Sequence, residues 1–284
     1  MSKKLYFWEK RKAVLINKHD KERVIVPIIE ENTGLQITVE RSYDTDLFGT
    51  FTKEIRRKAS QLDTAYLKAR KGMELTGLDI GIASEGIFGS HPVVPFIPWN
   101  YEIVLLIDTK NDIEIVGESG TTSTNYDYIT TDDYKELEVF AEKILFPTHF
   151  IVLRPDDEES NSITKGINSW ESLREAFELG IKKSKQGKVF VEADTRAFAN
   201  PTRMENIGKA TYDLIKKMKS YCPKCRTPGF SVVNSKMGLP CECCGNPTKE
   251  ILLRVSTCRK CAYTEENMVE EKRASAGRCL FCNP

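Results

Sequence analysis

No cysteine occurs before Cys222 in this 284-residue chain, and no apolar run approaches the length of about 18 that a membrane-crossing helix requires. The opening Met1-Ser2-Lys3-Lys4 is not followed by an apolar secretory segment. The chain contains no low-complexity tract, and its first 215 residues show no internal repeat. These absences argue against a disulfide-stapled secreted module, a membrane protein and a solenoid, and they lead us to expect a cytoplasmic protein in a reducing compartment. What remains is 40% apolar and 29% charged, enough for one full core and a small appendage.

The appendage is where the cysteines lie. Eight of the nine form Cys-x2-Cys pairs: Cys222/Cys225, Cys241/Cys244, Cys258/Cys261 and Cys279/Cys282, with Cys243 left over. Each such turn offers two thiolates to one ion, and two turns close a tetrahedral zinc site with no position for substrate, so the spacing predicts two structural zinc sites. Pairing the first two turns and the last two is simplest; interleaved pairing would lock both halves together.

The net charge of +1 hides an asymmetry. Residues 216–284 hold 13 Lys/Arg against 6 Asp/Glu, a balance of +7, and the remainder carries −6. A basic ribbon is open to nucleic-acid or protein contact, although its aromatic content, Tyr221, Phe230, Tyr263 and Phe281, offers no evident stacking platform.

Upstream, apolar strand-like runs alternate with amphipathic stretches, which predicts an α/β domain over residues 1–218 followed by a zinc-ribbon domain over 219–284. Strands are expected at Ala13–Ile16, Ile80–Ala83, Ile103–Ile107, Phe150–Leu153 and Val189–Ala193. Helices are expected from near Asp20, over Ala59–Leu75 and over Met204–Ser220, with an exposed acidic loop at Pro155–Lys165.

Open α/β sheets bind ligands beyond the carboxyl ends of their strands. Three polar clusters are expected there. Asn17, Lys18, His19, Asp20 and Lys21 form a strand-to-helix turn suited to phosphate. Asp44 and Asp46, with Asp63, Lys68 and a turn at Ser84-Glu85-Gly86, bring carboxylates towards a lysine, a set of hard oxygen donors suited to Mg²⁺. Asp194, Thr195 and Arg196, then Asn200, Thr202 and Arg203, place arginines at a junction where they can fork onto phosphate or a purine edge.

The segments Asp63-Thr-Ala-Tyr-Leu-Lys-Ala-Arg70, Thr76-Gly-Leu78 and Ala83-Ser-Glu-Gly86 together resemble the central stretch of the inosine/xanthosine triphosphate pyrophosphatase superfamily. In that superfamily a helix bearing Asn-Ala-x-x-Lys-Ala precedes a strand ending in an acidic, glycine-containing turn. The inosine/xanthosine triphosphatase branch is the nearer match, through Glu85-Gly86 and the spacing of Thr202, Arg203 and Ala210. The resemblance implies a mixed-sheet nucleoside-triphosphate pyrophosphatase-like domain that hydrolyses aberrant purine nucleoside triphosphates with Mg²⁺, and it implies a homodimer. Carried over residue by residue, it assigns Glu85 as base or metal ligand and Asp46 and Asp63 as metal ligands. Asn17, His19, Lys21, Lys68, Ser84, Arg196, Thr202 and Arg203 then contact substrate.

Two departures bear on activity. The paired aspartates of the pyrophosphatase branch are Ala83 and Ser84 here, and the opening turn is one residue shorter. A catalytically inactive nucleotide-sensing or macromolecule-binding module on the same fold is therefore the alternative. Asp44-Thr-Asp-Leu-Phe-Gly-Thr-Phe51 and Gly238-Leu-Pro-Cys241 also resemble a bacterial family that joins such a domain to a cysteine-rich tail.

Overall fold

A computed structural model of the chain describes residues 7–45 and 59–284. It divides into two compact units, the first formed by Met1–Asp108 with Val116–Ile215 and the second by Thr109–Ile115 with Lys216–Pro284.

The first unit opens with β1 (Lys12–Ile16), whose Ala-Val-Leu-Ile run is buried on both sides because the strand lies inside a sheet. The helix α1 (Glu22–Thr33) leads to β2 (Gln36–Glu40), and α2 (Gln61–Thr76) leads to the 11-residue β3 (Ile80–Ser90). Next come β4 (Pro98–Asp108) and β5 (Ile113–Thr121), completing a sheet ordered β2-β1-β3-β4-β5. β1 pairs in parallel with β2 and β3, whereas β3 and β4 are antiparallel, so the sheet is mixed.

The predicted end of the third strand at Ala83 is corrected here. β3 keeps pairing with β4 through Ser90↔Pro98, so Ser84, Glu85 and Gly86 lie within a strand rather than in a turn after one. The small residues 84, 86 and 89 do not break it because each has a partner across the hairpin. β1, by contrast, pairs with β3 only at Val14↔Gly81 and Leu15↔Ile82. Beyond Ile16 β1 ends while β3 and β4 continue, which leaves a step in the sheet beside β3.

α2 packs on one face of this sheet, with Ala65, Ala69 and Met73 against Val14, Ile16, Ala83 and Leu105. The approach is close: a Cβ at Gly81 would stand 2.7 Å from the Ala69 carbonyl oxygen. The helix is bounded by Ser60, whose hydroxyl accepts from the Asp63 N–H, and by Gly77 at φ 69°.

A second sheet, ordered β6-β9-β7-β8, follows from β6 (Tyr128–Thr131), β7 (Ile151–Pro155), β8 (Thr164–Ile167) and β9 (Val189–Ala193). Its core is Leu137, Phe140, Leu173 and Phe177, from α3 (Tyr134–Lys143) and α4 (Trp170–Lys183), against Ile151, Leu153 and Val191. α5 (Pro201–Met218) starts at Asn200, whose side-chain oxygen accepts from the Arg203 N–H, with Pro201 in the first helical position. On the face of the first sheet opposite α2, a Cβ at Gly117 would overlap the α5 backbone and one at Gly208 would touch Val24 of α1, so α5 and α1 lie together there.

The second unit contains the sheet β10 (Ser231–Met237), β11 (Ile251–Thr257) and β12 (Thr264–Met268), all antiparallel. It also takes in Thr109–Ile115, which the sequence boundary at 218/219 leaves out. Arg259 pairs with Glu114 at 3.0 Å and the Lys260 ammonium donates to the Asn111 carbonyl at 3.4 Å. Among the described residues no helix is long and apolar enough to cross a membrane.

Candidate functional site

In the first unit, five charged side chains meet at the step where β1 ends. Lys21 closes the β1–α1 turn, is 6% exposed, and donates from Nζ to the Ser84 carbonyl at 3.1 Å. Strand alternation puts Glu85 on the α2 face, where it pairs with Lys68, and Gly86 and its cross-strand partner Glu102 on the α5 face. There Arg203 grips Glu102 through Nε at 2.8 Å and Nη2 at 3.3 Å, while its Nη1 donates to the Thr195 carbonyl at 2.7 Å. A Cβ at Gly86 would overlap the Glu102 carboxylate, so a side chain there would push Glu102 off Arg203.

Lys21, held on the Ser84 carbonyl, feels both pairs. Burial lowers its pKa from the ordinary 10.5 to about 7; Arg203 and Lys68 push the same way, and Glu85 and Glu102 oppose them. With Lys21 protonated the cluster holds three cations against two carboxylates. An anion bound beside Lys21 would balance that excess and restore its proton.

A polar network supports the cluster. Asn100 donates to Glu102 at 2.9 Å and accepts from Asn206 at 2.7 Å, and Asn206 also accepts from Ser119 at 2.7 Å. Glu102 is the functional candidate that sequence reasoning missed. Its signal is a lone carboxylate leading the apolar run Ile103–Ile107, directly across the hairpin from Gly86.

The remaining sequence-predicted residues are distributed as follows. Asn17 is buried, donates to Glu22, and accepts from the His19 N–H at 3.3 Å, which makes it the brace of the β1–α1 turn. The His19 ring stacks on Phe198 at 6.0 Å, and Arg196 lies over the same ring at 4.7 Å while pairing with Asp194. The first and third clusters thus meet at Phe198. Thr202 directs both its hydroxyl, at 2.9 Å, and its N–H, at 3.3 Å, to His149 Nε2. Burial holds that imidazole below its ordinary pKa, neutral and accepting.

Two members of the expected carboxylate cluster have other partners. Asp63 is exposed and its carboxylate accepts from the hydroxyl of the N-cap Ser60 at 2.7 Å, and Asp44 pairs with Lys18 at 2.6 Å. Asp46 lies outside the described residues.

In the second unit the cysteines form two groups, Cys222/Cys225/Cys258/Cys261 and Cys241/Cys244/Cys279/Cys282. The sulfurs approach at 3.5 and 3.7 Å in the first and 3.6 and 3.9 Å in the second. Four thiolates about 2.3 Å from a tetrahedral zinc stand about 3.8 Å apart, so both groups can hold such an ion.

The pairing is interleaved, and the sheet explains why the simpler sequential pairing fails. Ser231 lies opposite Thr257, which brings the first and third turns together at one end of the β10–β11 hairpin. Met237 lies opposite Ile251, leaving the second turn at the other end, about seven strand residues away. Each turn repeats one motif: the N–H of Arg226, Gly245, Ala262 and Asn283 returns to the carbonyl of the first cysteine of its pair at 2.8–3.0 Å. Cys243 is exposed and stands outside both groups.

A family model described as a domain of unknown function, DUF6671, matches residues 68–284, more than half of the chain. The chain belongs to the DUF6671 family. A comparison with curated proteins finds no match. The DUF6671 match takes in Lys68, Glu85, Glu102, Arg203 and all eight paired cysteines, whereas the Asn17–Lys21 turn precedes it.

Proposed function

We propose that the charged cluster of the first unit binds a nucleoside triphosphate by its phosphates and that the unit hydrolyses it with Mg²⁺. The substrate class is the aberrant purine nucleotides of the inosine or xanthosine type that the resemblance implies. One observation carries the reading. Lys21, Lys68, Glu85 and Arg203 come from the separate stretches on which the resemblance rests, and they fall in one buried cluster with a cation in excess. Lys21 and Lys68 are the phosphate-binding residues. Arg203, already engaged by Glu102 and Thr195, orients them from the α5 side.

Among the described residues no three carboxylates or histidines stand close enough to hold a metal unaided. Mg²⁺ bound together with substrate phosphates needs only one or two protein carboxylates, and Glu85 is the candidate. The ion would neutralise charge on the phosphates. Glu85 would then orient the attacking water.

A second reading, nucleotide binding without turnover, is favoured by the Asp63 carboxylate being engaged by the Ser60 hydroxyl and by Glu85 being paired with Lys68. Incubating the zinc-loaded chain with Mg²⁺ and a panel of inosine, xanthosine and standard triphosphates separates the two. Turnover that Glu85→Gln reduces at least about a hundredfold, at the lower edge of what general acid–base catalysis contributes, is the expected result. Intact nucleotides across the panel, with binding retained, would establish the second reading.

For the second unit we propose two structural zinc ions, because four-thiolate tetrahedral sites suit that metal. Zinc loading bears on contact with nucleic acid. Each four-thiolate zinc site carries a charge of −2, so two of them reduce the +7 of residues 216–284 to +3. That weakens the non-specific attraction for a polyanion, and a protein partner becomes the better-supported role for the ribbon.

A further inference from the structure

A cavity of about 550 Å³ opens within the first unit between the tip of the β3–β4 hairpin and the chain entering β6. Its volume falls in the range of small-molecule pockets, about 300–1,000 Å³. The lining alternates aromatic and polar groups: Phe96 on the hairpin, Tyr126 and Tyr128 opposite, and Asn125, Asp127 and Lys143 at the side. Asp127 and Lys143 pair at 2.6 Å, so the lining presents no net charge. A neutral, flat, partly polar occupant matches such walls better than a phosphate does.

A row of contacting side chains runs from the cavity wall to the charged cluster. The Arg203 guanidinium lies 5.6 Å from the centroid of Phe88, whose ring packs on Tyr126 at 5.5 Å. Asn125 accepts from Asn200 at 2.8 Å, and Asn200 caps the helix that delivers Arg203. A nucleotide lying along this row of side chains would set its ring in the cavity and its phosphates towards Lys21. Phe96 is 87% exposed and has no ring partner among the described residues, an apolar face that a ring in the cavity would cover.

We propose that this cavity is the base pocket: it takes the heteroaromatic ring of the nucleotide, with Phe96 and Tyr126 as its stacking walls. The proposal rests on the phosphate-binding reading above. It is tested by titrating the full-length, zinc-loaded chain with inosine triphosphate and with inorganic tripolyphosphate, comparing wild type with Phe96→Ala. Phe96 is a surface side chain, so its removal leaves folding intact.

The variant should lose about tenfold or more in affinity for inosine triphosphate, the scale of one base–aromatic stack, and bind tripolyphosphate as wild type does. Unchanged affinity for both ligands, or an equal loss for both, would overturn the base pocket while leaving the phosphate site standing. Wild type that binds neither ligand would overturn the phosphate-binding reading and the pocket with it.

Discussion

Replacing Cys225 and Cys258 together by serine should leave one zinc on each chain, whereas replacing Cys225 and Cys244 together should remove both. The first pair belongs to one four-cysteine group and the second pair is divided between two. Sequential pairing would give the opposite result for each double variant, so metal content by mass spectrometry decides the topology. The effect on folding is expected to be large. Structural zinc in small domains supplies about 10–16 kcal/mol of apparent binding free energy, which is also folding free energy. The second unit has few alternatives to draw on, because β10 and β12 are exposed along most of their length and bury little apolar surface. Removing either ion should melt the end of the sheet it closes, and chelation should unfold the whole unit.

Glu102→Ala should destabilise the first unit by about 3–5 kcal/mol, the cost of leaving one partner of a buried ion pair uncompensated. Arg203 is 1% exposed and Glu102 fully buried, so the freed guanidinium has no route to water without moving α5. The double change Glu102→Leu with Arg203→Met should recover most of that loss, since an apolar pair of similar volume is often as stable as the ions it replaces. Trp8, Trp99 and Trp170 all lie in the first unit, so tryptophan fluorescence during urea unfolding reports on that unit alone. A Glu102→Ala variant as stable as wild type would show that the pair is not held as described. Recovery of stability without recovery of ligand binding would show that the pair is kept for function rather than for folding.

How far the sequence could be read depended on whether a signal was local. The cysteine pairs are local, because a Cys-x2-Cys turn is built within a few residues. Which turns share an ion depends on the register of β10 on β11, which is set by pairing across the hairpin, and the short run Ser231–Met237 carries no clear alternation to announce it. The helix bearing Lys68 was legible from its period and its Ser60 and Gly77 ends. The strand bearing Glu85 was cut short because glycine and serine at 84, 86 and 89 read as a turn, while the partner that holds them extended, β4, lies a hairpin away. Asp63 looked like a metal ligand beside Lys68, but it lies three residues after the N-cap Ser60, and its carboxylate takes up the Ser60 hydroxyl. Glu102 escaped notice because its role appears only when Gly86 and Arg203 are brought to it by the fold.

The sign of the Lys21 titration makes the central claim measurable. The unfolded chain keeps its lysine proton up to about 10.5 and the empty fold only to about 7, so the empty fold gains stability as pH rises through that window. A phosphate that needs Lys21 charged must bind more weakly as pH rises through about 7. Lys21→Met removes the desolvated ammonium and should make the empty first unit more stable while costing it the ligand. The decisive measurement is calorimetric titration of tripolyphosphate into wild type and Lys21→Met from pH 6 to 9, with urea unfolding alongside. The expected result is a more stable variant that binds at least tenfold more weakly at pH 6 and has lost the wild-type fall in affinity above pH 7. Equal binding by the two proteins, or no heat from wild type at any pH, would contradict the assignment of this cluster as a phosphate site.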